Sequence, residues 1–230
     1  QAAVNKDISK NLLIKGCAGS GKSLVAIHRA RKILDSSTLV NGNKVLLFTY
    51  NKTLVTYLDH LSKEIIPKAN QKDFYVINFH KWAYGFIKTY INQRFHPNII
   101  NEKDQKLLIE SLINEIAPEY TDLITPEFAL EEITIIKENI YSQNEYMQSR
   151  QSRSHFVSRF HQELRSKMWQ IYEGYLYKQE IQYFLDFSDF GLIIVDYIEN
   201  NKEKVKNFSE FTHVIIDEVQ DFTYLQLHII

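Results

Sequence analysis

The segment NLLIKGCAGSGKSLVAIHRARKILDSS, residues 11–37, decides the fold of this chain. Its first five residues are mostly apolar and predict a short buried strand, whereas residues 22–37 have the apolar spacing of an amphipathic helix. Between them, GCAGSGKS at residues 16–23 fits G-x-x-x-x-G-K-[ST], the pattern of a phosphate-binding loop. Because such loops connect a strand to a helix, the segment predicts a nucleotide-binding α/β fold.

The residue types of this loop suit the chemistry of holding phosphate. Its glycines allow several backbone N–H groups to point at one set of phosphate oxygens, next to the positive end of the following helix. Lys22 is expected to reach the β- and γ-phosphates of ATP, and the Ser23 hydroxyl to bind Mg²⁺. Cys17 is either a redox brake or a variable small residue, and the second interpretation is favoured. The predicted ATP contacts are Gly16, Cys17, Ala18, Gly19, Ser20, Gly21, Lys22 and Ser23.

Alternating strands and helices continue beyond this loop. Residues 44–49 and 73–79 predict two further strands, and residues 53–66 predict the helix between them. Strands separated by single helices indicate a parallel sheet with crossover helices.

Helical patterns dominate the middle of the chain. Thr125 and Pro126 predict the N-cap and first residue of one helix, and no strand pattern interrupts residues 102–182. The α/β pattern resumes with a helix at 189–201 and a strand at 212–217. We therefore expect an α/β domain that is interrupted by a mostly helical insertion. The expected parts are residues 1–96, the first part of an ATP-binding domain; residues 97–168, the insertion; and residues 169–230, the rest of that domain.

An acidic pair follows the last predicted strand. Asp217 stands at the carboxyl end of HVIID, where P-loop ATPases need an acid to hold Mg²⁺. The adjacent Glu218 is placed to orient or deprotonate a water molecule that attacks the γ-phosphate. A solvated acidic turn is the alternative, but the apolar strand before the pair disfavours it. The pair predicts ATP hydrolysis rather than phosphoryl transfer to a small molecule.

Composition limits the class of protein. The chain has 230 residues and a formal net charge of −1, so it lacks a global basic character for nucleic acid, although a local patch would suffice. One cysteine excludes an internal disulfide, and no apolar run reaches the ~20 residues that span a bilayer, so we expect a cytoplasmic protein. The basic residues between 150 and 167 indicate either a nucleic-acid contact or a solvated helix face. Because residues 1–11 begin without Met, we expect a piece of a longer protein.

GCAGSGKS together with DEVQD, residues 217–221, resembles the first motor domain of UvrD/Rep-like superfamily 1 helicases. Motif II of that family reads D-E-x-Q-D, which Asp217, Glu218, Gln220 and Asp221 match. Further segments agree with the family in the same order along the chain, so the resemblance covers nearly all of it. These segments are residues 48–58, 78–86, 131–140 and 169–194.

The resemblance implies a RecA-like P-loop NTPase of DNA repair or recombination that uses ATP and Mg²⁺, with Gln220 in the nucleotide site. It further implies a motor that moves along single-stranded DNA, usually 3′ to 5′. It then places near the DNA strand a cation, polar groups and aromatic rings, which suit contacts with phosphates and bases. These residues are Thr49, Asn51, Lys52, Phe79, His80 and Trp82. Core packing is the alternative for the aromatic residues, and a structural role is the alternative for His80.

Departures from the family pattern lie outside the nucleotide site. Asn78 stands where Thr is usual, Lys81 and Trp82 stand where Ser and Phe are usual, and Ser188 replaces an acid.

In this family ATP lies between two motor domains, and arginines of the second domain stabilise the transferring γ-phosphate. Such arginines contribute about 10³- to 10⁵-fold in rate. Because the chain ends soon after motif II, we expect weak nucleotide binding, very slow hydrolysis and no duplex unwinding by this chain alone. Three alternatives stay open: an RNA-directed motor, a nuclease-linked motor, and a regulatory or scaffold ATPase that does not translocate.

Overall fold

The structure, a computed structural model, describes residues 3–17, 19–36, 42–50, 52–149, 162–201 and 211–230. The predicted site residues Ala18 and Asn51, and the basic residues between 150 and 161, lie outside these ranges. The α-helices are α1 Lys22–Asp35, α2 Lys52–Ile65, α3 Phe79–Phe86, α4 Glu102–Ile116, α5 Pro126–Glu138, α6 Gln143–Gln148, α7 Gln162–Gln182, α8 Phe187–Asn200 and α9 Tyr224–Ile229. The strands are β1 Val45–Thr49, β2 Phe74–Asn78, β3 Asn98–Ile99, β4 Phe184–Leu185 and β5 His213–Ile216.

The chain divides into two compact units, which we call the sheet unit and the helical unit. The sheet unit comprises Gln1–Gly85, Tyr197–Phe222 and Ile230, and the helical unit comprises Phe86–Asp196 and Thr223–Ile229. The helical unit continues beyond residue 168, the expected end of the insertion, because α7 packs against both α4 and α5.

Three parallel strands form the sheet of the sheet unit, in the order β2-β1-β5. In the register of the central strand, Val45 lies opposite Phe74 of β2 and His213 of β5. Every residue of β1 is buried, as expected for a parallel strand that is covered on both faces. The predicted α/β fold with a parallel sheet is confirmed, and so are three of its strands, each one residue shorter at one or both ends.

The strand predicted at residues 11–15 is absent from the described fold. Leu13 is 67% exposed, and residues 8–14 line a cleft of about 570 Å³ together with the residues of β5. The prediction was wrong because an apolar run indicates only a tendency to be buried, whereas a strand also needs a neighbouring backbone with which to pair.

The core of the sheet unit lies between α1 and the sheet. Apolar residues of α1 recur at helical spacing, and Ile27, Ala30 and Ile33 pack with Val45 and Leu47 of β1. This packing fixes the helix that follows the phosphate-binding loop against the centre of the sheet.

Polar caps start three helices of the helical unit. The Thr125 side chain accepts a hydrogen bond from the Phe128 backbone N–H at 3.2 Å, and Pro126 occupies the first turn of α5, which confirms that predicted start. Asn101 and Ser142 cap α4 and α6 in the same way. These caps satisfy N–H groups that have no partner within the helix.

The short parallel pair β3–β4 was not predicted from the sequence. Asn98 lies opposite Phe184 and Ile99 opposite Leu185, and two residues per strand are too few to produce an alternating pattern. Among the described residues, none of the helices has both the length and the apolar character required to cross a membrane.

Candidate nucleotide-binding site

The phosphate-binding loop has the backbone that its glycines predict. Gly19 and Gly21 have φ angles of 75° and 81°, in the left-handed region where a β-carbon is unfavourable. A β-carbon on Gly16 would lie 2.6 Å from Ser20 Oγ, so a side chain at position 16 would require the Ser20 hydroxyl to move. The Ser20 N–H donates to the Cys17 carbonyl at 3.2 Å and closes the turn.

The start of α1 presents unpaired backbone N–H groups to this loop. Gly21 is the N-cap residue, and no side chain in the described structure caps the helix at this end. The first turn also contains no acidic residue. The positive end of α1 is therefore left to an anion such as a phosphate group.

The two predicted metal ligands lie together although 194 positions separate them in the sequence. The Ser23 hydroxyl donates a hydrogen bond to Asp217 Oδ2 at 2.8 Å. Asp217 is only 4% exposed, and its backbone N–H donates to the Phe48 carbonyl at 2.9 Å, so the sheet holds it in place.

The two predicted catalytic residues form an ion pair beside this contact. Lys22 Nζ lies 3.7 Å from Glu218 Oε1 and donates to the carbonyls of Gly16 and Cys17 at 3.3 Å each. The Gln220 side-chain amide donates to Glu218 Oε2 at 2.6 Å. The structure thus brings Lys22, Glu218 and Gln220 together at one end of the cleft.

The residues present suit a Mg²⁺ ion that also binds nucleotide. In the described part of the chain, no group of three or more His, Cys, Asp or Glu side chains is arranged to hold a metal. Mg²⁺ in nucleotide sites needs only one or two protein ligands, because phosphate oxygens and waters complete its shell. A hydroxyl and a buried carboxylate in contact, Ser23 and Asp217, would suit the role of such a ligand pair.

The predicted nucleic-acid residues lie in different environments. Lys52 is exposed at the start of α2, and His80 and Trp82 are half-buried on α3. Thr49 and Phe79 are buried, with exposed fractions of 0% and 4%. For these two residues the structure favours a role inside the fold.

The aromatic residues of this region pack mainly on each other. Phe48 contacts the rings of Phe79, Trp82 and Phe222 at centroid distances of 6.4, 5.5 and 6.4 Å. Burial lowers the pKa of His80, so its imidazole is uncharged at neutral pH.

The burial of two polar residues was not predicted from the sequence. Arg29 is 8% exposed on α1 and donates to the carbonyls of Ala3, Lys6 and Asp7, which attaches the N-terminal segment to the helix. Asn78, 7% exposed, accepts from the Lys81 N–H at 2.9 Å and caps α3. The sequence contained one signal for the burial of Arg29, because a basic residue stands among the buried apolar residues of α1.

Comparison with known proteins identifies the family of the chain. The family model for the UvrD/REP helicase N-terminal domain matches residues 1–230. Curated proteins give no match to the chain. The matched range includes both the phosphate-binding loop and the acidic pair. The chain belongs to the UvrD/REP helicase N-terminal domain family, the ATP-using, DNA-binding part of helicase-type motors.

Proposed function

We propose that this domain drives a motor that hydrolyses ATP to move along single-stranded DNA in the 3′-to-5′ direction. The observation that carries the proposal is the meeting of two distant motifs at one end of the cleft. Ser23 Oγ lies 2.8 Å from Asp217 Oδ2, and Lys22 Nζ lies 3.7 Å from Glu218 Oε1. The phosphate-binding loop and the acidic pair thus lie side by side, an arrangement that suits a triphosphate.

Each of these residues has a distinct task in hydrolysis. Lys22 and the N–H groups of the loop bind the β- and γ-phosphates. Ser23 and Asp217 would hold Mg²⁺, which neutralises charge on the phosphate oxygens when bound. Glu218, held by Gln220, orients the attacking water and accepts its proton.

The single DNA strand would bind to residues of α2 and α3. Lys52 is exposed and offers a positive charge to a phosphate group. Because burial lowers the pKa of His80, this residue would act through hydrogen bonding or stacking rather than through charge. Trp82 is half-buried, so one part of its ring is available for stacking on a base.

We further propose that a second motor domain completes the site with arginines. Among the described residues that line the cleft, Arg29 is the one arginine. Its guanidinium already donates to the backbone carbonyls of Ala3, Lys6 and Asp7. An arginine that stabilises the transition state would therefore come from elsewhere, and the loss of such an arginine costs about 10³- to 10⁵-fold in rate. The present chain by itself should bind ATP weakly and hydrolyse it slowly.

The test is the ATPase rate with and without single-stranded DNA, measured on this chain and on a protein in which it is joined to its second motor domain. We expect strong stimulation by DNA in the joined protein, loss of the rate in its Glu218→Gln variant, and little activity from this chain. Displacement of streptavidin from either end of a biotinylated oligonucleotide then reports the direction of movement.

The other outcomes separate the alternatives. Stimulation by RNA alone would favour an RNA-directed motor. An ATPase that ignores both nucleic acids would contradict translocation and favour a regulatory role.

A further inference from the structure

Three buried polar side chains, which we call the polar row, cross the carboxyl edge of the sheet: Asn78, Thr49 and Asp217. Thr49 lies opposite Asn78 in the register of β1 and β2. Asp217 follows Ile216, the partner of Phe48, and its N–H donates to the Phe48 carbonyl at 2.9 Å. The exposed fractions of Asn78, Thr49 and Asp217 are 7%, 0% and 4%.

All three side chains lie on the face of the sheet that α1 covers. Residues two positions apart along a strand share one face. Leu47, Val76 and Ile215, each two positions before a member of the polar row, pack in the core that includes α1. The polar row therefore faces α1, whose Ser23 hydroxyl donates to Asp217.

Two members of the row are hydrogen-bonded and the third is not. Asn78 Oδ1 accepts from the Lys81 N–H, and Asp217 Oδ2 accepts from Ser23. The Thr49 hydroxyl has no hydrogen-bond partner among the described residues. A buried hydroxyl without a partner is unfavourable, and valine would fill the same space without that cost.

The position of Thr49 indicates what its partner would be. Adjacent strands are about 4.8 Å apart, so Thr49 is the lateral neighbour of the carboxylate that would hold Mg²⁺. Mg²⁺ in proteins keeps several of its waters, and each water needs an acceptor for its protons. A threonine hydroxyl oxygen is such an acceptor.

We propose that Thr49 is a positioning residue of the nucleotide site, whose hydroxyl accepts a hydrogen bond from the hydrated Mg²⁺ held by Asp217. The inference rests on the proposed function, because it requires the metal to bind at Ser23 and Asp217. It places Thr49 in the nucleotide site instead of on the nucleic-acid surface.

The test measures the dissociation constant of AMP-PNP by calorimetry in Mg²⁺ and in EDTA, together with the melting temperature of the ligand-free protein. The variants are Thr49→Val, Thr49→Ser and Asp217→Asn, with Thr134→Val on α5 as an unrelated threonine control. We expect Thr49→Val to reduce the Mg²⁺-dependent gain in affinity by about 3- to 10-fold, the size of one net hydrogen bond. Its melting temperature should not fall, and Thr49→Ser should keep the gain.

Three results would overturn the inference. If Asp217→Asn abolishes the Mg²⁺-dependent gain and Thr49→Val leaves it intact, the metal site stands and Thr49 has no part in it. Equal weakening in Mg²⁺ and EDTA, with a lower melting temperature, would show a merely structural threonine. If the Asp217→Asn variant keeps the Mg²⁺-dependent gain in affinity, Mg²⁺ does not bind at Asp217. The proposed metal site and the role of Thr49 would then both be wrong.

Discussion

Glu218 has a backbone conformation that few non-glycine residues adopt, with φ 51° and ψ 55°. A left-handed residue of this kind costs roughly 1–2 kcal/mol, and such strain is found where the surrounding structure enforces it at a functional position. Here the turn follows β5 directly and leaves the carboxylate between Lys22 and Gln220.

Glu218→Gln should separate binding from hydrolysis. The amide keeps the size of the side chain but cannot accept a proton from water, so we expect the ATPase rate to fall by about 10²- to 10⁴-fold. Affinity for AMP-PNP should change little, because Lys22 and the loop provide that binding. Steady-state ATPase assays beside calorimetry check both parts. Retained activity would exclude Glu218 as the base.

Gly21→Ala should destabilise the protein and weaken nucleotide binding. Gly21 has φ 81°, where an added β-carbon costs roughly 1–2 kcal/mol. The matched control is Gly85→Ala on α3, where a β-carbon meets nothing within 4 Å and no positive φ occurs. Alanine should stabilise that helix by up to about 1 kcal/mol. Urea unfolding of both variants should therefore give opposite signs, and equal signs would contradict the assigned loop geometry.

At the scale of elements, the start of α5 depends on one side chain. Thr125→Ala removes the acceptor for the Phe128 N–H and should cost about 1 kcal/mol. Hydrogen exchange of the first turn of α5 should become faster, since that turn would fray. Ser111→Ala on α4 is the control, because the Ser111 hydroxyl bonds to a carbonyl of its own helix and caps nothing. Unchanged exchange in Thr125→Ala would show that tertiary packing alone holds this end.

At the scale of the whole molecule, a buried ion network holds the helical unit together. The Lys137 side chain is fully buried and donates to Asp186 at 2.7 Å, Asp189 at 2.6 Å and Gln179 at 2.9 Å. Asp186 also accepts from the Tyr175 hydroxyl at 3.0 Å. The network joins α5, α7 and the start of α8.

Lys137→Met should be strongly destabilising, by about 3–5 kcal/mol, because it leaves two buried carboxylates without their cation. Chemical denaturation measures the loss, and adding Asp189→Asn should recover part of it by removing one charge. The control is Lys106→Met, whose ion pairs with Glu102 and Glu127 lie at the surface and are weakly coupled to folding. If Lys137→Met and Lys106→Met behave alike, the network does not hold the unit.

Glu138 adds a pH dependence to the same unit. Burial raises the pKa of its carboxyl, the Ser188 hydroxyl opposes this shift, and nearby Asp186 adds to it. Because the folded state binds this proton more tightly than the unfolded state, stability should fall as pH rises from about 4.5 through the raised pKa. Glu138→Gln should remove that part of the pH dependence and raise stability at neutral pH. Urea unfolding across this range checks the prediction, and parallel curves for both proteins would refute it.

A serine at position 188 suits this environment. Its hydroxyl lies 3.3 Å from Glu138 Oε1, and its N–H donates to Asp186 Oδ1 at 3.0 Å. An acid at this position, the residue usual in the family, would place a third carboxylate beside Glu138 and Asp186. The departure from the family pattern therefore has a local electrostatic reason.

The sequence by itself determined the local features: the glycine-rich loop, the helix after it, the capped start of α5 at Thr125, and the three strands of the sheet. These depend on neighbours a few positions away, such as the spacing of apolar residues or the N–H groups that a cap satisfies. The family, too, follows from local motifs, since GCAGSGKS and DEVQD are both short.

Only the tertiary structure decided which distant groups meet. In the structure, Ser23 contacts Asp217, and Thr49 is buried between Asn78 and Asp217. Lys137 forms buried ion pairs with acidic residues, and residues 11–15 do not pair as a strand. The physical reason is that burial and pairing depend on neighbouring strands and helices far away in the sequence, which local patterns do not encode.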